Sequence, residues 1–304
     1  MFGVQYMQSI RIQKSDPVEQ RKYRTALIVT IAGNILLLTV KWIAAALSGS
    51  VALLADAANS ASDVLYSLFM VLGLWVAQQP ADKSHPQGHS RFEPLVGFMI
   101  TLSMAFAGYS AAEASIRRFS EGGKAIEIGL PIFVLLFSSG IKAGMFVWIR
   151  NLANKLHSPT LETTARDNLS DVLASLAAFI GIIGSTVVHP LADPVADIVV
   201  AFWIFRAAFL AAKENLGFLT GAGASEDLRD KLVSAAGSVP GVLRVHHAIT
   251  EYSGPRLVVD MHINVDGNMP LNQVHEISDR VIERLEDFPE VDRAYVHIEP
   301  DDWE

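Results

Sequence analysis

The sequence predicts an α-helical membrane protein of six spans followed by a small soluble α+β domain, and three observations predict it. Six apolar stretches each reach the roughly 20 residues that a helix needs to cross a bilayer. Mean hydropathy is +0.32, above the level at which soluble domains settle. Charge is also unevenly placed: from Glu214 onward 18 acidic residues face 7 basic ones, whereas the preceding part holds 14 acidic and 17 basic. An apolar, slightly basic part followed by a polar, acidic part divides the chain into a 1–24 N-terminal segment, a 25–213 membrane domain, a 214–222 linker and a 223–304 soluble domain.

The predicted spans are residues 25–47, 52–77, 94–117, 129–149, 167–188 and 191–212. Ionisable side chains interrupt them at Lys41, Asp56, Asp63, Lys142, Asp171, Asp197 and Arg206. Very short connections, at 48–50 and 189–190, force the first and second spans, and the fifth and sixth, into antiparallel hairpins. Basic residues fix the orientation. Arg11, Lys14, Arg21, Lys22 and Arg24 precede the first span; Lys83 and Arg91 lie between the second and third; Arg150, Lys155 and Arg166 lie between the fourth and fifth. With six spans all of these fall on one side, which is therefore cytoplasmic together with both termini. Arg117, Arg118 and Lys124 oppose the rule but are outnumbered.

After Ala222 the pattern becomes that of a soluble domain. Ser225 precedes Glu226 and Asp227 as a helix N-cap would. Residues 245–251 and 256–265 read as strands around a Ser253-Gly254-Pro255 turn, 271–285 as a helix and 293–299 as a last strand. The order α-β-β-α-β is that of a ferredoxin-like or metallochaperone-like two-layer domain.

The chain contains no cysteine, so disulfides and thiolate metal sites are excluded. The acidic balance excludes nucleic acid as a partner and suits cations. Any metal must be held by His, Asp, Glu, Asn or backbone oxygen. Charges inside spanning helices are costly and default to a functional reading. Asn59 and Asp63 are one turn apart on the second span, and Asp56 extends that face; Asp167 and Asp171 repeat the spacing on the fifth. Two such pairs can meet as a four-ligand cation site. The competing expectation is that Asp167 caps the fifth helix and Asp63 pairs with Lys41 or Lys142, although no basic residue accompanies either pair at a similar spacing.

Two histidine groups lie outside the spans. Asp82, His85 and His89 fall within eight residues of a polar loop, a spacing that equally describes solvated side chains. His246, His247, His262, His275 and His297 make five of the nine histidines, and His297 and Glu299 share a strand face.

Residues 49–63 (GSVALLADAANSASD) resemble the second helix of the cation diffusion facilitator family, and 164–171 (TARDNLSD) are similar to its fifth. Gln79-Pro80-Ala81-Asp82, His85, Gly88, His89 and Glu93 are similar to its second-to-third loop. The resemblance runs from 23 to 300. It implies a homodimeric transporter in membrane lipid that exports divalent metal in exchange for protons, by alternating access. It also implies a transport site of Asn59, Asp63, Asp167 and Asp171, with Asp56 a secondary candidate. A loop metal site of Asp82, His85 and His89, and a cytoplasmic-domain cluster of His246, His262, His275, His297 and Glu299, follow likewise. His247 has no counterpart in it.

Zinc members typically place a histidine in one or both helix pairs, and here neither pair has one. An Asn-Asp plus Asp-Asp set is all oxygen, which suits manganese better than zinc, and resembles the family's manganese-exporting branch. Mn²⁺ is therefore the expected substrate and regulatory ion, with Fe²⁺, Zn²⁺ or Cd²⁺ the alternatives. From a different class, a membrane-tethered metal sensor would need only an anchor, and an intramembrane metalloprotease would need a His-Glu-x-x-His motif, which does not occur. The short N-terminus suggests a bacterial inner membrane.

Overall fold

The computed structural model describes residues 10–11, 17–48, 51–122 and 130–301. They divide into two compact units, 1–215 and 216–304.

The first unit holds helices α1 (Pro17–Ser48), α2 (Val51–Ala77), α3 (Phe92–Ser120), α4 (Leu130–Leu156), α5 (Pro159–Val187) and most of α6 (Ala192–Leu219). All six are long and apolar enough to cross a membrane. Consecutive helices pair most extensively as α1 with α2 and α4 with α5, and α3 packs against α2 and α5. Large apolar side chains such as Trp42, Phe106, Phe133 and Phe202 point outward and exposed. The interior instead buries Asn34, Ser67, Thr163, Asn168 and Asn215. Such an arrangement faces lipid outside and satisfies polar groups inside. Asn34 donates to Ser67 Oγ at 2.7 Å, and Asn215 donates to Thr163 Oγ1 at 2.9 Å. Gly97 lets α3 approach α6, because a Cβ there would lie 2.1 Å from Asn215 Oδ1.

Several helices outrun the apolar runs that predicted them. Hydropathy marks where lipid ends, not where hydrogen bonding ends. The stretch between 149 and 167, expected as a loop, is helical except at the turn: α4 continues to Leu156 and α5 starts at Pro159. Ala153, Leu156 and Leu161 are buried, so the extension keeps an apolar face. Ser158 caps α5 by accepting from Leu161 N at 3.2 Å, with Pro159 at the first helical position. Asp167 therefore lies more than two turns inside α5, and it does not cap it.

At the end of the bundle where α1, α3 and α5 begin, Glu93 is a buried hub. Its carboxylate accepts from Tyr23 Oη at 3.3 Å and from Ser158 Oγ, while its carbonyl accepts from Thr160 Oγ1 at 2.5 Å. These bonds tie the three helices together at that end.

The second unit contains α7 (Glu226–Gly237), β1 (Arg244–Ser253), β2 (Arg256–Val265), α8 (Leu271–Glu286) and β3 (Val291–Pro300). The sheet order is β1-β2-β3, with β1/β2 antiparallel and β2/β3 parallel. Val259, Met261, Ile263 and Val265 of β2 pack with Leu232 of α7 and with Ile277, Val281 and Leu285 of α8. Both helices thus cover one sheet face. By strand alternation His262 belongs to the other face. The former linker region is partly helix, since α6 runs to Leu219.

Candidate metal centres

Asn59 and Asp63 on α2, and Asp171 on α5, line a cavity of about 290 Å³. Its other walls carry Lys41, Asp56, Arg118 and Asp197, from the ends of helices opposite the Glu93 hub. Asp167 lines a second space of about 30 Å³, together with Asp63, Asn34 and Asn168. That volume suits a single water. Asp63 is common to both spaces, so the four expected transport ligands straddle it rather than closing into one cage.

Every carboxylate that lines the large cavity has a basic partner. Asp56, the secondary candidate, lies 2.8 Å from Lys41 Nζ. Arg118 reaches Asp193 at 2.7 Å and also Asp197. Most important, Lys142 Nζ of α4 lies 2.7 Å from Asp171 Oδ2 and 3.1 Å from Asp63 Oδ2, donating a hydrogen bond to the latter. The competing expectation that Asp63 pairs with Lys142 is thereby met, and the lysine comes from α4 rather than from either helix that carries a pair. Spacing along α2 and α5 says nothing about what α4 places between them. The signal available in the sequence was Lys142 itself, an isolated cation in an apolar run. Asn34 and Asn168 were missed: each leaves a buried amide oxygen without a hydrogen-bond partner, and both line the small space. The four expected transport residues offer only oxygen to a metal, although the Met70 thioether also lines the small space.

The α2–α3 loop gathers Asp82, His85 and His89, with one ligand atom from each within 4.8 Å of the others. Asp82 Oδ1 accepts from the backbone N–H groups of His85 at 2.7 Å and Ser84 at 2.8 Å. The bond from His85, with that from Ser84, holds the Asp82 carboxyl below its usual range. Buried His89 bonds through Nδ1 to the Pro80 carbonyl at 3.1 Å and turns Nε2 toward Asp82 Oδ2, 3.7 Å away. A carbonyl that fixes the tautomer in this way is the usual second contact of a metal-ligating histidine.

In the second unit Glu299 is the centre. Its carboxylate lies 3.1 Å from His246 Nε2, 3.3 Å from His262 Nδ1 and 3.7 Å from His297 Nε2. His246, His262 and Glu299 hold ligand atoms within 4.8 Å of one another. Two nitrogens and a carboxylate fit a tetrahedral divalent ion with an open position. His297 adjoins them, its ring 4.9 Å from that of His262. His275 does not join the group within one chain. It stands on α8, exposed, 3.7 Å from Asp279, and α8 covers the opposite face of the sheet.

His247, set aside on sequence, is brought in: its ring lies 4.5 Å from that of His262. A register shift between Val245 and His247 is the cause. Simple alternation would send His246 and His247 to opposite faces, but a bulge lets both approach His262. His247, His262 and His297 then form a row across the three strands.

Residues 27–220 match the cation efflux transmembrane domain and residues 224–301 the cation efflux protein cytoplasmic domain. This chain belongs to the cation efflux family. It is an integral membrane transporter of divalent metal cations and not an enzyme. An uncharacterised transporter of Methanocaldococcus jannaschii is 33% identical over 92% of this chain and 99% of that protein. The magnetosome protein MamM of Magnetospirillum gryphiswaldense is 31% identical over 83% of this chain and 80% of that protein. The manganese efflux system protein MneS of Bacillus subtilis is 27% identical over 93% and 97% respectively.

Proposed function

We propose that this transporter moves divalent metal out of the cytoplasm in exchange for protons, with Mn²⁺ preferred, through Asn59, Asp63, Asp167 and Asp171. The observation that carries the reading is that these four side chains, which line two adjoining spaces between the helices, offer only oxygen to a metal. Carboxylate and amide oxygens suit Mn²⁺, whereas zinc sites draw on nitrogen and sulfur. Resemblance to a manganese efflux protein supports the same choice. Protons are the natural counter-ion, because Asp63, Asp167 and Asp171 emptied of metal in a low-dielectric site carry more negative charge than the single ammonium of Lys142 cancels.

The cavity reaches the site from the ends of α2, α4 and α6 that begin it, while the Glu93 hub closes the opposite end. With both termini cytoplasmic, this is an outward-facing arrangement, and alternating access requires the hub to loosen as the cavity closes. The protein works as a homodimer in a bacterial inner membrane. The His246, His262 and Glu299 group binds a regulatory divalent ion, with His247 and His297 beside it, and the Asp82, His85 and His89 loop is auxiliary. A membrane-tethered sensor would have no use for carboxylates lining a cavity between helices.

The test is transport into proteoliposomes under a pH gradient, comparing Mn²⁺, Fe²⁺, Zn²⁺ and Cd²⁺. Mn²⁺ is expected to move fastest and to carry a proton flux in the opposite direction. Transport of Zn²⁺ or Cd²⁺ without Mn²⁺ overturns the manganese reading, and transport indifferent to the pH gradient overturns the antiport. For orientation, the native absence of cysteine helps. Ser225→Cys is expected to resist an impermeant thiol reagent in intact cells, and Glu121→Cys to react.

A further inference from the structure

We propose that Lys142 is a tethered competitor for the transported metal, its ammonium occupying the seat between Asp63 and Asp171 whenever the ion is absent. The inference rests on the transport-site reading above and adds a residue to it. Lys142 is buried on α4, yet its Nζ reaches carboxylates of two other helices, at 2.7 and 3.1 Å. Both carboxylates belong to the set that must hold the metal. An ammonium at those distances fills the space where a divalent ion would bridge the same two oxygens. The ion can bind there only if the ammonium withdraws.

There is room for it to do so. Lys142 lines the 290 Å³ cavity, and Asp56 and Asp197 stand farther along the same walls. Charge supplies the reason for such a residue. Asp63, Asp167 and Asp171 together carry more negative charge than one divalent ion cancels, and an oxygen site of that charge would hold its cargo too firmly to release it. A built-in cation on the same oxygens weakens binding and compensates the site once the ion has left. Lys142 is thus a positioning and affinity-setting residue, not a ligand.

The experiment uses full-length protein in proteoliposomes with Mn²⁺ alone as the probe. Lys142→Cys removes the cation and introduces the sole cysteine of the chain. We expect KM for Mn²⁺ to fall about tenfold, equivalent to about 1.4 kcal/mol, and kcat to fall with it because release slows. Aminoethylation of that cysteine by a methanethiosulfonate reagent restores an ammonium, and both constants should return toward the parent values. A neutral methyl disulfide at the same position should not restore them. Mn²⁺ should also slow the modification.

A second variant, Lys142→Arg, keeps the charge and offers two donors to the paired carboxylates. It should raise KM above that of the parent. An unchanged or higher KM in Lys142→Cys, or equal rescue by the neutral reagent, overturns the proposal. If the cysteine variant does not fold, a parent-like KM in Lys142→Arg overturns it. Failure of the underlying reading looks different: Asp171→Ala would then transport at the parent's rate, whatever stands at position 142.

Discussion

In the membrane unit the candidate ligands are carboxylates and an amide on two helices, spread around two spaces, with Lys142 lodged between two of them. In the C-terminal unit they are imidazoles around one carboxylate, on adjacent strands of a sheet, with ligand atoms within 4.8 Å. The membrane carboxylates do not close to that spacing as a trio, whereas the His246, His262 and Glu299 group does. The difference suits two tasks. On the proposed reading a transport site must release its ion on every cycle, which suits ligands loosely gathered around a lysine. A regulatory site can be preformed on a rigid sheet, where hydrogen-bonded strands fix the spacing.

The comparison breaks most clearly at Asp171. Asp171→Ala removes a charged ligand from the membrane site, and transport is expected to fall to background while the purified protein keeps its dimeric elution. Asp63→Ala should behave alike. Normal initial rates from Asp171→Ala would dissolve the distinction, because the membrane unit would then not hold the ion through these residues.

A smaller effect tests the other side. Ions that bind only folded protein stabilise it by mass action, by about 2.7 kcal/mol at a concentration one hundred times Kd. The full-length protein should gain a metal-dependent rise in Tm, and His262→Ala combined with His297→Ala should reduce it, by the share that the sheet cluster contributes, while leaving the metal-free Tm in place. A rise in the double variant equal to the parent's would show that this sheet face is not where the ion binds.

Asn59→His sharpens the contrast in donor chemistry. It adds an imidazole nitrogen to an oxygen set, so the ratio of Mn²⁺ to Zn²⁺ initial rates should fall severalfold, on the order of the tenfold that corresponds to 1.4 kcal/mol. Asn59→Asp keeps oxygen ligation and should move the ratio less. Equal ratios in the parent and Asn59→His would place selectivity elsewhere.

The smallest effect belongs to the loop. Backbone N–H groups hold the Asp82 carboxyl below its usual range, so it stays charged at and above the ordinary value of about 3.9. A depressed folded value contributes stability above the unfolded value and loses it as pH falls through the folded one. Asp82→Asn should therefore weaken metal binding by the loop about equally from pH 5 to 7, and transport should fall less than twofold. A pronounced pH dependence of that weakening in this window would mean Asp82 titrates higher than its hydrogen bonds imply.

Much was legible in the sequence because it is encoded locally. Membrane-length apolar runs, the i and i+4 spacing of Asn59/Asp63 and Asp167/Asp171, the Ser225 cap and the strand–helix–strand order of the soluble domain each follow from a periodicity or a neighbouring residue. Composition alone removed thiolates from consideration, and the two helix pairs offer no imidazole. Contacts between elements distant in the chain were legible only as alternatives, Lys41 or Lys142 as the partner of Asp63. Lys142 is 79 residues from Asp63, and only the packing of α4 against α1 and α5 sets its ammonium between carboxylates of α2 and α5. His275 and His247 exchanged places for the same kind of reason. Within one chain, the side of the sheet that α8 covers keeps His275 away from the group, and a bulge at the start of β1 brings the His247 ring beside His262. Periodicity assigns a residue to a face of its own helix or strand. What stands opposite that face is decided when the helices and strands pack.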